Sequence, residues 1–251
     1  MAGHSKWANI KHRKGAQDKK RGALFTKIIK EITIAARMGG DDLNANPRLR
    51  SSVIKARGAN MPMDNIERAI KKGSGNLEGV IYEEISYEGY GPGGIAIMVE
   101  CLTDNKNRTT PEVRSAFNKN NGNLGENGCV AYMFDRKGFI VVEGGQTTED
   151  DLMELLMEFD LEDVKEEEGN LLVTTSPDGY TDISKCIEEK GFNTLSNELT
   201  FIPQTLTSLE EKQALQCLKL IEALEDLDDT QNVFSNYDIS DEVMEKISEE
   251  L

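Results

Sequence analysis

Between Leu24 and Ala36 apolar side chains recur at three- and four-residue spacing, so Leu24, Phe25, Ile28, Ile29, Ile32, Ala35 and Ala36 share one face of a helix. Lys20, Lys27, Lys30 and Arg37 fall largely on its other sides. The helical pattern starts near Ala16, and Gly39 and Gly40 stop it. Asn46 followed by Pro47 is a cap with proline at the first helical position, which predicts a second helix to about Arg57, ahead of Gly58. Pro62 opens a third, with Ile66, Ala69 and Ile70 inward and Lys71 and Lys72 in its last turn before Gly73. Residues 16–72 therefore read as a small helical domain, preceded by an aperiodic arm over residues 1–15.

GSGNLEG, from Gly73 to Gly79, reads as a joint, and beyond it the period changes. Ile81, Glu83, Ile85 and Tyr87 alternate with Tyr82, Glu84 and Ser86, and IAIMVECL from Ile95 to Leu102 predicts a buried strand. EGYGPGG between them reads as a hairpin turn; a phosphate-binding loop would feed a helix, and this stretch feeds a strand. TDNKNRTT, Thr103 to Thr110, predicts a loop ahead of a helix capped by Thr109 or Thr110, with Pro111 and Glu112 in its first turn. Residues 138–202 follow the order β-α-β-β-α-β, the ferredoxin-like order. Strands are predicted at Phe139–Glu143, Glu162–Glu167, Leu171–Thr175 and Glu198–Ile202, with helices around Leu152, Leu155, Leu156 and Phe159 and from Thr181 to Lys190. After Pro203, Ala214, Leu215, Leu218, Ile221 and Leu224 mark a long helix, Asn232–Phe234 a short strand, and Val243, Met244 and Ile247 a last helix in an acidic tail.

Charge changes this picture more than composition does. The 251-residue chain has a formal net charge of −16, yet residues 1–72 hold 17 Lys and Arg against 6 Asp and Glu, a net of +11, and the remainder carries −27. Such sorting predicts that the basic part meets a polyanion while the acidic part stays soluble and away from it. No apolar run is long enough for a membrane span, and the first residues lack the apolar segment of a secretory signal, which predicts a cytoplasmic protein with no membrane partner. Cys101, Cys129, Cys186 and Cys217 are scattered without the spacing of a metal knuckle or redox motif, so reduced thiols and no metal or cofactor are expected. His4 and His12 are the only imidazoles, and neither has the surroundings of a catalytic triad; no catalytic residue is assigned, and an enzyme is the least favoured reading.

The candidate contacts to nucleic-acid phosphates are Lys6, Lys11, Arg13, Lys14, Lys19, Lys20, Arg21, Lys27 and Lys30, with Trp7 for stacking and His12 interleaved. No helix-turn-helix signature, zinc knuckle or aromatic ribonucleoprotein strand is present in the sequence, so phosphate and shape contacts are expected rather than base reading. Asn105, Asn107 and Arg108 beside a helix N-terminus form a second candidate, for an anion; the competing account is that Asn and Thr simply cap, and Pro111 favours it by removing one donor.

Three stretches carry a resemblance: GHSKWANIKHRKGAQDKKRGALFTKIIKEI at the N-terminus, the loop TDNKNRT, and NGNLGENGCVAYMFDRKG from Asn121 to Gly138. Together they resemble the YebC family, over Met1 to about Asp238, with Cys129 where a small Ser or Ala is usual. Its bacterial members are regarded as probable transcriptional regulators, and a mitochondrial relative activates translation. The resemblance implies an α+β chain of three domains: a helical domain over residues 1–79, a discontinuous α/β domain over 80–134 plus 204–251, and a ferredoxin-like α/β domain over 135–203 inserted into the second. It also implies a nucleic-acid-binding regulator of gene expression without an enzymatic site, either a DNA-binding transcriptional regulator or a translation factor that binds ribosomal RNA on the ribosome. Neither the sequence nor the resemblance gives an oligomeric state.

Overall fold

A computed structural model describes residues 21–75 and 82–247. The arm up to Lys20, most of the joint beyond Gly75 and the last four residues lie outside them. The described residues form two compact units, residues 132–206 and residues 21–131 together with 207–247. The chain is α+β, with a helical region first and sheets after it.

The larger unit opens with three helices, α1 (Arg21–Gly39), α2 (Pro47–Gly58) and α3 (Met63–Ser74). The apolar stripe read from the sequence closes their core: Ile28, Ile32, Ala35 and Ala36 of α1 pack with Leu49, Val53 and Ala56 of α2, Met61, and Ile66 and Ala69 of α3. Asn46 caps α2 by accepting from the Leu49 N–H at 3.0 Å, while its amide donates to the carbonyls of Ala35 and Gly40, so one side chain ends α1 and starts α2. Gly73 lets α3 approach α1, because a Cβ there would lie 2.2 Å from the Thr33 carbonyl oxygen.

The sheet of this unit runs β3-β1-β2-β9, from β1 (Glu83–Tyr90), β2 (Ala96–Thr103), β3 (Asn123–Leu124) and β9 (Thr230–Ser235). β1 and β2 form the expected hairpin, closed by Tyr90 opposite Ala96. Val113 and Phe117 of α4 (Lys106–Lys119) and Ala214, Cys217, Leu218, Leu220 and Leu224 of α7 (Glu211–Glu225) pack with Ile97, Val99 and Cys101 of β2. α4 begins earlier than the sequence predicts. Asn105, not Thr109 or Thr110, is its cap, accepting from the Arg108 N–H at 3.2 Å, and Pro111 lies inside the helix. Thr109 does not cap because its hydroxyl is committed to Asp229. β8 (Thr207–Ser208) pairs in parallel with β10 (Tyr237–Asp238), and α8 (Asp241–Ile247) buries Ile247 against the same core.

The smaller unit contains β4 (Phe134–Val142), α5 (Glu149–Leu156), β5 (Leu161–Glu167), β6 (Asn170–Thr175), α6 (Tyr180–Glu189) and β7 (Thr194–Pro203). Its antiparallel sheet has the order β5-β6-β4-β7, the ferredoxin-like arrangement. β4 and β7 are longer than predicted, paired from Phe134 opposite Pro203 to Val142 opposite Thr194. The charged run Asp135–Lys137 hides the start of β4 from a hydrophobicity reading, although its backbone is held by the ladder.

Two glycines in the bundle separate close packing from mere flexibility. Gly73→Ala should destabilise the protein by about 1–3 kcal/mol, since its Cβ meets backbone that cannot yield. Gly58→Ala, with nothing within 4 Å, should be neutral or stabilising by about 0.5–1 kcal/mol. Urea unfolding of both variants measures the difference.

Candidate nucleic-acid interface

Of the proposed nucleic-acid contacts, Lys6, Trp7, Lys11, His12, Arg13, Lys14, Lys19 and Lys20 lie outside the described residues, and the backbone of Arg21 opens α1. Lys27 and Lys30 are placed, and they point inward. The Lys27 ammonium donates to the carbonyl of Glu225, the last residue of α7, where a helix C-terminus favours a cation. Burial pulls its pKa down against the opposing pull of Glu225 and Asp226. The Lys30 ammonium donates to the Asp228 carbonyl and to Asp229 Oδ1, each at 2.8 Å. The two lysines, candidates for phosphate contact in the sequence, therefore fasten the three-helix bundle to the end of α7 and the loop beyond it.

Asp229 is the centre of this junction and is 1 % exposed. Its Oδ2 accepts from Arg108 Nη2 at 2.7 Å, Thr109 Oγ1 at 2.7 Å and Thr103 Oγ1 at 3.1 Å, while Oδ1 takes Lys30. Burial raises the pKa of this carboxyl, and the hydrogen bonds from Lys30, Arg108 and Thr109 outweigh it, holding the group well below the usual carboxylate range. The Asp229 carbonyl also accepts from the Leu102 N–H at 2.8 Å, tying the loop to β2.

Of Asn105, Asn107 and Arg108, weighed in the sequence as an anion site against simple capping, Asn105 and Arg108 are occupied by the protein itself. Asn105 caps α4; Arg108 also pairs with Asp104 at 3.0 Å; Asn107 is exposed. The anion gathered by Arg108, Thr103 and Thr109 is the Asp229 carboxylate.

Glu88 organises the third sequence stretch in a similar way. At 6 % exposure, its carboxylate accepts from the backbone N–H groups of Gly128, Val130 and Ala131 at 2.7, 2.8 and 2.7 Å. Burial pushes its pKa up, and the three backbone bonds together more than offset this, leaving it below the ordinary value. Tyr90 adds a hydroxyl bond to the Cys129 carbonyl at 2.9 Å. The sequence reading missed both carboxylates. Asp229 sits in the acidic run EDLDD with nothing to set it apart from Asp226 and Asp228, and Glu88 lies in a segment read as strand and turn.

Other bundle cations lie at the surface. Arg57, Arg68, Lys71 and Lys72 are exposed, whereas Arg48 is drawn to Glu31 at 2.7 Å and to Glu84. Among the described residues there is no group of three or more His, Cys, Asp or Glu that could hold a metal ion, and no helix is long and apolar enough to cross a membrane.

Two family patterns cover this chain, the TACO1/YebC N-terminal domain over residues 5–76 and the TACO1/YebC second and third domain over residues 82–237. The chain belongs to the TACO1/YebC family. Proteins of Trichlorobacter lovleyi and Geobacter sulfurreducens, each named a probable transcriptional regulatory protein, are 57% identical over 247 residues, spanning 98% of this chain and 100% of each relative. The crystal structure of a conserved hypothetical protein from Aquifex aeolicus is similar, with 45% sequence identity and a TM-score of 0.79, covering 90% of this chain and 93% of that one. Within the TACO1/YebC N-terminal pattern fall all the basic candidates from Lys6 to Lys30; the carboxylates that bind Lys30 and Arg108 fall in the second pattern.

Removing Asp229 strands the largely buried Lys30 ammonium and takes a partner from the exposed Arg108, so Asp229→Ala should lose about 3–5 kcal/mol in urea unfolding. Asp228→Ala, at an exposed side chain, should stay within about 0.5 kcal/mol. Because the folded-state pKa of Asp229 is depressed, its contribution is complete above the ordinary Asp value of about 3.9 and is lost as the pH falls below it. The gap between parent and Asp229→Asn should therefore narrow on acidification.

Proposed function

We propose that this protein is a nucleic-acid-binding regulator of gene expression whose basic N-terminal arm contacts phosphates. The observation that carries this reading is the sorting of charge, +11 over residues 1–72 against −27 over the remainder. A polyanion is attracted to the first part and repelled by the second, which orients the molecule at encounter. The inward placement of Lys27 and Lys30 sharpens the reading, because their charge is matched internally and the arm from Lys6 to Arg21 carries the contact. The names of the relatives support a regulator of transcription, and in that reading the partner is DNA. Ribosomal RNA is the second reading: with no base-reading motif in the sequence, contacts to phosphate and shape serve RNA as well as duplex DNA.

Binding should weaken steeply with salt, with a log-log slope of about −0.9 per duplex phosphate neutralised. The triple variant Lys11→Glu, Arg13→Glu, Lys14→Glu should abolish it, and unchanged affinity would sink the proposal. Trp7 is the one tryptophan, so its fluorescence should respond to a bound nucleic acid. Crosslinking in cells followed by sequencing separates the partners: promoter DNA supports transcription and ribosomal RNA supports translation.

A further inference from the structure

Helix α2 has the sequence PRLRSSVIKARG, with four cations and no acidic residue. Its buried side is Leu49, Ser52, Val53 and Ala56. Arg48 lies toward Glu31 and Glu84 and is matched there. On one flank, roughly a third of a turn from that buried side, stand Arg50, Ile54 and Arg57, at i, i+4 and i+7, within about 60° of one another around the helix axis and spread over about 10 Å along it. Ile54 is 63% exposed, a large β-branched side chain facing solvent between two arginines. Arg57 is exposed, and Arg50, half-buried, makes a long 3.5 Å contact to the Leu43 carbonyl.

From this face we infer a second nucleic-acid contact, in which Arg50 and Arg57 straddle the phosphodiester backbone and Ile54 packs on the sugar or base edge between them. The inference rests on the reading of the arm as a nucleic-acid contact and extends it to a folded surface in the same basic portion of the chain. Charge complementarity selects the occupant: a cationic helix face with no carboxylate of its own suits a polyanion, and a spacing of about 10 Å spans two to three phosphates of one strand. A phosphate contact alone has no use for an exposed isoleucine. An apolar group beside two phosphate ligands matches the alternation of charged backbone and apolar sugar and base edges in nucleic acid.

The test uses the full-length protein and fluorescence anisotropy with a DNA duplex of about 20 base pairs and an RNA duplex of the same sequence, between about 50 and 200 mM salt. Arg50→Gln with Arg57→Gln should lower affinity by about tenfold or more and flatten the log-log salt slope by about two. Ile54→Ala should weaken binding without altering the slope. Equal losses on both duplexes indicate phosphodiester recognition, and a loss confined to one assigns the partner; both outcomes support the inference. If the double variant loses its helical circular dichroism, Arg57→Glu alone is measured in its place, where reduced affinity and a shallower slope support the inference. Parental affinity and slope in these variants overturn it, and if the arm triple variant still abolishes binding, the proposed function stands on the arm alone. Loss of retention on polyglutamate with unchanged nucleic-acid binding would assign the face to an acidic protein and also overturn the inference.

Discussion

The Asp229 carboxylate is the constraint on which the larger unit depends. A buried anion without partners would be strongly unfavourable, and here it meets an ammonium from α1, a guanidinium from α4 and two hydroxyls from the end of β2 and the start of α4. These groups lie between about 120 and 200 positions from Asp229 in the chain, so the junction exists only when the bundle, the sheet and the loop after α7 are all in place. Burying the pair is no guarantee of net stability, because desolvation opposes the attraction; what it supplies is a unique docking arrangement for the bundle on the sheet. Lys27 on the last carbonyl of α7 and Arg48 on Glu84 add two further ties between the same parts.

Glu88 does for one loop what Asp229 does for the unit. Three backbone N–H groups of a Gly- and Asn-rich segment converge on a single carboxylate, which gives an otherwise irregular stretch a fixed shape. Among the described acidic residues, Asp229 and Glu88 are thus distinguished by burial together with several hydrogen bonds, while most of the others are at the surface and set the repulsive field of the acidic part.

Periodicity made most of the fold legible. The stripe from Leu24 to Ala36, the Asn46–Pro47 cap and the β-α-β-β-α-β order all rest on local patterns, and local patterns are what a sequence displays. The start of α4 was misplaced because Thr109 and Pro111 imitate a helix start, whereas the hydroxyl of Thr109 is committed to Asp229, a residue 120 positions away. The roles of Lys27 and Lys30 were hidden for the same reason. A lysine on a helix looks alike whether its partner is a phosphate or a distant carboxylate, and only the tertiary structure separates the two. Arg50 and Ile54 drew no role from the sequence, and their grouping with Arg57 acquired meaning only when Leu49, Ser52, Val53 and Ala56 proved to be the buried side of α2.

The cations of this chain are thereby divided by electrostatic task. Those inside the bundle junction hold the protein together; in the proposed function, those on the arm and on one flank of α2 face the nucleic acid, and the acidic body stays off it. Ultraviolet crosslinking of the full-length protein to bound nucleic acid, followed by mass spectrometry of the crosslinked peptides, tests this division directly. Adducts confined to peptides between Met1 and Lys72 are the predicted result; adducts concentrated in residues 132–206 would contradict it.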